Sequence, residues 1–174
     1  MIETKNRGGY VRLANSGLFN CFGCSPNNPS GMLMEFYADE KKNFVVSWYT
    51  VPAHLCGWGN VVHGGIVATM LDEAMGWACI TLLRKFFLSR TLSVEFAKPI
   101  LIDREMRVEG RVQVVNNERE AVMQGLIYND GDELCARSSS VVSLFTLEFV
   151  KKRGIVNEQT IRSLEAAWDI PSNS

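Results

Sequence analysis

The sequence predicts an α+β fold in which an antiparallel sheet wraps one long central helix. Three observations carry that expectation. One run, residues 65–84, is apolar on nearly every side: Ile66, Val67, Met70, Leu71, Ala74, Met75, Trp77, Ala78, Ile80, Leu82 and Leu83. A helix apolar all round is buried on most sides. Most of the remaining patterned runs alternate apolar and polar residues, the period of half-buried strands. The turns between those runs are too short for crossover connections, so neighbouring strands pair antiparallel. A length of 174 residues suits one domain with a full core.

The elements follow in order. Residues 1–30 form a loop-rich leader ending in the turn signal Asn27-Asn28-Pro29-Ser30-Gly31. Residues 32–37 and 43–51 read as two strands. In the second, Phe44, Val46 and Trp48 alternate with Val45, Ser47 and Tyr49, and Asp39-Glu40-Lys41-Lys42 makes the turn before it. A loop over 52–60 leads to His63-Gly64-Gly65, which opens the helix. Strands follow at 88–97, 106–115, 121–128 and 134–145. Asn116-Asn117 and Asn129-Asp130-Gly131 supply the hairpin turns. The order is β-β-α-β-β-β-β over a core domain of residues 31–146. In the tail, residues 147–174, Asn157 caps a short helix whose Ile161, Leu164 and Trp168 form an apolar stripe facing the body or a partner subunit.

Composition narrows the function. Hydrophobic residues make up 47%, charged residues 21%, and the net charge is −1. No field favours nucleic acid or an anionic membrane, and the basic runs Lys41-Lys42 and Lys151-Lys152-Arg153 read as a turn and a solvated surface. The first 18 residues lack the apolar region of a signal peptide. The apolar run over 66–83 is broken by Asp72, Glu73 and Gly76, so it reads as a core helix, not a membrane span. Five cysteines at irregular spacing fit a reduced, cytoplasmic protein better than a disulfide framework.

Chemistry concentrates at the helix. Its first turn offers backbone N–H groups without intrahelical partners at the positive end of the macrodipole, and only glycine lets a ligand approach that backbone closely. Two carboxylates, Asp72 and Glu73, lie two turns further on and point about 100° apart. Asp72 shares its stripe with Gly65, Thr69 and Gly76, the least bulky face. Glu73 shares one with Ile66, Met70 and Trp77. Asp72 is therefore read as the reactive carboxylate and Glu73 as a hydrogen-bonded structural residue, with a purely structural pair as the alternative. His63 holds the turn, orients a substrate or acts as a base; Asn60 lines the approach or makes the turn, and His54 borders the pocket. Cys21-x-x-Cys24 invites a zinc reading, but a structural zinc needs four ligands and Cys56, Cys79 and Cys135 are scattered, so no metal is expected. A redox role lacks the βαβ setting such a pair needs.

Three motifs in order resemble the hotdog-fold thioesterases of the PaaI (phenylacetate-pathway) type. They are His63-Gly64-Gly65 with Asp72 nine residues after the histidine, Phe96-Ala97-Lys98-Pro99 at the end of the strand after the helix, and the leader Cys21-Phe22-Gly23-Cys24-Ser25-Pro26-Asn27-Asn28-Pro29-Ser30-Gly31. The resemblance implies a homodimer or a homotetramer whose sheets join edge to edge, with the active site at the dimer interface. It gives Gly64 the role of presenting its N–H to a thioester carbonyl. Asp72 of the other subunit attacks that carbonyl or activates water, and Ser89, ten residues before Pro99, assists. The expected activity is hydrolysis of an acyl-CoA to free acid and CoA without metal or other cofactor. His63, Gly65, Asn60, His54, Ser89 and Thr91 would contact the substrate, and Met70, Met75, Trp77 and Phe86 or Phe87 would line its acyl pocket. Arg90 and Lys98 would meet the CoA phosphates, or are plain surface charge. A non-catalytic acyl-CoA-binding or regulatory protein is the alternative. A hydratase ranks below both, because the separated His and carboxylate of proton shuttling are missing.

Overall fold

A computed structural model describes residues 8–15, 20–39, 41 and 43–168. The strands are β1 (Val11–Arg12), β2 (Tyr37–Ala38), β3 (Val45–Thr50), β4 (Phe86–Ser89), β5 (Ser93–Phe96), β6 (Glu105–Asn117), β7 (Glu120–Tyr128) and β8 (Leu134–Phe145). The helices are α1 (Gly64–Ala78), α2 (Leu147–Arg153) and α3 (Glu158–Trp168). One sheet runs β1-β2-β3-β6-β7-β8-β4, with β5 also on β8, and every pairing is antiparallel. The sheet curls around α1, the hotdog arrangement.

Burial alternates along β7 but not along β3, where Val45, Val46 and Ser47 are all buried, nor over 88–97, where Leu88, Leu92 and Phe96 are exposed. Along β7, Ala121, Met123, Gly125 and Ile127 face inward and their neighbours outward. On α1, Val67, Met70, Leu71, Ala74, Met75, Trp77 and Ala78 are buried, and Trp77 stacks on Phe36 with ring centroids 5.6 Å apart. The stretch Gly64–Leu83 is 20 residues long and apolar enough to cross a membrane by length and composition, but here it is the helix that the sheet encloses.

Small residues seat α1. Gly110 of β6 pairs with Gly125 of β7, which pairs with Ser138 of β8, so three small residues lie side by side across the sheet. A Cβ on Gly110 would lie 2.0 Å from the Ala74 carbonyl oxygen and 2.3 Å from its carbon. The conflict is with helix backbone, which no rotamer relieves. Gly110→Ala is expected to cost about 2–3 kcal/mol, as overpacked cores do, and to lower the melting temperature by roughly 4–12 °C; thermal denaturation followed by circular dichroism checks it.

Several boundaries differ from the sequence pattern. Residues 32–36 are extended but pair with the leader, because the Met32 and Met34 N–H groups donate to the Phe22 and Gly23 carbonyls at 2.7 and 3.0 Å. The expected strand over 88–97 is two strands, because the Arg90 and Thr91 N–H groups both turn to the Val141 carbonyl, a bulge-like interruption. Helix α1 widens into a π turn at Cys79–Leu83 and stops at Arg84, whose φ is 51°. The β6–β7 turn falls at Glu118-Arg119, one step after the asparagine pair, and the Asn117 side chain accepts from the Arg119 N–H at 2.9 Å. Helix α2 was not anticipated; Thr146 caps its start and left-handed Gly154 ends it. Asn157 caps α3 as expected, accepting from the Thr160 N–H at 2.8 Å, and α3 packs against the π turn. Glu40, Lys42 and the side chain of Leu164 lie outside the described residues.

Candidate active site

His63 caps α1. Its Nδ1 accepts a hydrogen bond from the Gly65 N–H at 3.0 Å, so the ring proton sits on Nε2. The Ile66 and Val67 N–H groups both donate to the His63 carbonyl, at 2.9 and 3.1 Å. Gly65 therefore has no N–H left to offer. The Gly64 N–H has no partner among the described residues, and it points out of the positive end of the helix. Phe96 closes over this glycine: a Cβ there would lie 3.6 Å from the ring. Beside it lies a hollow of about 390 Å³, lined by Trp58, Val61, Val62, Val67 and the segment from Phe96 to Ile100. Trp58 is 90% exposed.

Asp72 and Ser89 come together: the Ser89 hydroxyl donates to Asp72 Oδ1 at 2.9 Å. The second Asp72 oxygen has no partner among the described residues. Eight residues of helix separate Asp72 from Gly64, which at 1.5 Å per residue is about 12 Å. One carbonyl group cannot reach both within one chain.

The other expected contacts are spread out. His54 is exposed in a short helical turn, and Asn60 is exposed with its carbonyl accepting from the Ile102 N–H. Thr91 Oγ1 accepts from the Val141 N–H at 3.2 Å, which holds the break between β4 and β5. Arg90 and Lys98 are ion-paired on the surface with Glu120 and Glu133. Met70 and Met75 are sealed in the core, and Phe87 packs on Gly76, so neither methionine lines an open acyl pocket. Trp77 instead borders a hollow shared with Cys24 and Phe36. Trp58 and Phe96, which do line the hollow beside Gly64, were not singled out as pocket residues. The only sequence signal was an aromatic residue on each side of the His-Gly-Gly turn in chain order.

Glu73 faces away from this site. It meets the leader, where the Cys21 thiol lies 3.2 Å from Glu73 Oε1. Burial, reinforced by the neighbouring Cys21 sulfur, pushes the Glu73 carboxyl up to about 8. The Cys24 thiol hydrogen-bonds Cys21, which holds Cys21 below the ordinary thiol range and drives Cys24 above it.

The pattern of the thioesterase superfamily matches residues 59–136. The chain is similar to that superfamily. The matched segment runs from just before the His-Gly-Gly turn into β8 and so includes Gly64, Asp72 and Ser89. Solved thioesterase-superfamily structures share the fold. One thioesterase superfamily protein superposes with a TM-score of 0.66 at 19% identity, covering 71% of this chain and 60% of that one. The Escherichia coli PaaI protein from the phenylacetic acid degradation operon gives 0.58 at 16%, covering 66% and 80%. A hypothetical thioesterase of Streptococcus pneumoniae, solved with coenzyme A, gives 0.55 at 18%, covering 60% and 80%. A curated relative, an uncharacterized protein of Schizosaccharomyces pombe, is 25% identical over 108 residues, and the match spans 62% of that protein's length.

Proposed function

We propose that this chain hydrolyses acyl-CoA thioesters as a homodimer, with Gly64 of one subunit and Asp72 of the other acting on the same carbonyl. The observation that carries this reading is the division of labour on α1. Among the described residues, the helix holds an N–H without a partner at its start and a half-exposed carboxylate with one unpartnered oxygen about 12 Å further on. The two halves complete a site when two copies pack antiparallel. The strand edge formed by β4 and β5 supports such packing, because Leu88, Leu92 and Phe96 are exposed there, and unpaired apolar edges are otherwise an aggregation hazard.

A thioester needs an oxyanion hold and an attacking or deprotonating group. The Gly64 N–H supplies the first, with a typical worth of ~3–4 kcal/mol in the transition state. Asp72 supplies the second, as nucleophile or as general base on water, and Ser89 fixes its orientation. The hollow between Trp58 and Phe96 receives the apolar part of the substrate at the carbonyl. Arg90 and Lys98 form exposed ion pairs that water screens, so CoA phosphates can displace their carboxylate partners. The S. pneumoniae neighbour solved with coenzyme A supports the choice of CoA esters. The reaction needs no metal or redox cofactor, and the five free thiols suit a cytoplasmic setting.

Thiol release from a panel of acyl-CoAs, wild type beside Asp72→Asn, tests the proposal. Turnover by the wild type that the variant loses is the expected result. Saturable binding of acyl-CoA without turnover of any ester would replace the enzyme with a binding protein.

A further inference from the structure

We propose that Cys21, Cys24 and Glu73 form a binding site for a thiophilic divalent cation, Zn²⁺, which fastens the N-terminal leader to the central helix. The sequence alone offered two ligands. The fold brings the third, a carboxylate from the middle of α1.

The geometry fits the ion. The two sulfurs and a Glu73 oxygen all lie within 4.8 Å of one another, and Cys21 Sγ is 3.2 Å from Glu73 Oε1. Tetrahedral zinc with bonds of ~2.3 Å to sulfur and ~2.0 Å to oxygen sets its ligands about 3.5–4 Å apart. The Cys-x-x-Cys spacing is the one that presents two thiolates to one zinc.

The loop is built for this closeness. A Cβ on Gly23 would lie 2.3 Å from the Glu73 carboxyl carbon, so glycine lets the turn press against the carboxylate. The turn is also fixed from outside the cluster. Asn15 Nδ2 donates to the Cys24 carbonyl at 2.6 Å, and Met32 and Met34 bind the Phe22 and Gly23 carbonyls. The ligands are thus held in place by bonds that do not use their own side-chain atoms.

Three acidic groups meet at the edge of the core, and no basic side chain pairs with Glu73 among the described residues. A buried carboxylate is ordinarily paired or metal-bound. Cys24 is buried while Cys21 and Glu73 are partly exposed, which leaves an entry path and a fourth position for water. Sulfur ligands favour zinc over magnesium or calcium.

The test uses the reduced, metal-free, full-length protein titrated with Co²⁺ alone and then with Zn²⁺. It reads no turnover, so its outcome is independent of the thioesterase proposal. One equivalent of Co²⁺ is expected to give a sulfur-to-metal charge-transfer band, and Zn²⁺, which binds more tightly, is expected to abolish it. Cys21→Ser and Cys24→Ser should each weaken binding at least tenfold and diminish the band. Glu73→Gln should keep the band and weaken binding about tenfold or more. Zn²⁺ should raise the melting temperature of the wild type, since a ligand of the folded state stabilises it. Absence of the band in folded, reduced wild type would overturn the site, as would a band that both serine variants leave unchanged. Unaltered affinity in Glu73→Gln would remove the carboxylate and with it the three-ligand site. If a serine variant fails to fold, the wild-type spectrum and the Glu73→Gln titration decide.

Discussion

Asp72→Asn is expected to lower kcat on acyl-CoA by 10²–10⁴-fold, the usual worth of a positioned acid or base, or about 3–5 kcal/mol of barrier. The substitution is nearly isosteric, and the asparagine oxygen still accepts the Ser89 hydroxyl that now lies 2.9 Å from Oδ1. What it removes is the charge and basicity of the open oxygen. The loss should therefore fall on kcat, with KM little changed, because the substitution leaves the apolar hollow and the Gly64 N–H, the proposed substrate-binding groups, in place. Asp72 is half-buried and has no ion pair among the described residues, so the fold should keep its circular dichroism spectrum and melting temperature. Steady-state kinetics on both proteins decides the matter. Full activity in the variant would show that the reactive carboxylate lies elsewhere. A large loss with an intact fold would place Asp72 at the reacting carbonyl.

The parts of this fold legible in the sequence are those where one physical rule acts alone. Helix α1 declared itself because apolar residues surround it, and β7 and β8 because hairpin turn signals bound runs of strand length. Asp72 was separable from Glu73 by helical angle alone, and the structure turns them to different neighbours, Ser89 and Cys21. The illegible parts arise where tertiary partners decide. Residues 32–36 look like a strand, yet their donors go to the leader. The break at Arg90-Thr91 is set by one carbonyl of β8, and polar residues on both sides of it hide the change of register. The helix end is masked because Cys79–Leu83 continues the apolar run while its backbone widens to a π turn beneath α3. Glu73 reads from the sequence as a hydrogen-bonded structural residue with its partner unnamed, and Cys21-x-x-Cys24 as too few ligands for a metal. Each lacked what the other supplies, and only the fold brings them together.

Gly64→Pro isolates the backbone donor in the same way that Asp72→Asn isolates the carboxylate, and it is expected to lower kcat by 10²–10³-fold, the cost of losing one oxyanion-hole donor. Proline is the one residue that deletes the N–H, and position 64 is the place on α1 that tolerates it. Gly64 is the first residue of the helix, where proline is favoured because its missing N–H has no intrahelical carbonyl to meet. The preceding residue must be extended, and His63 already is, with φ −60° and ψ 135°. The cap bond from Gly65 to His63 is untouched, so the helix should form as before. Unchanged turnover in a folded Gly64→Pro protein would mean that another group holds the oxyanion. The two variants together also test the assignment of the halves to different subunits. Co-expressed chains carrying Gly64→Pro and Asp72→Asn pair at random. Half of the dimers are then mixed, and each mixed dimer holds one intact site built from the unaltered half of each chain. Roughly a quarter of wild-type activity should return, although each variant alone keeps about a hundredth or less. If Gly64 and Asp72 of one chain served one site, mixing would restore nothing.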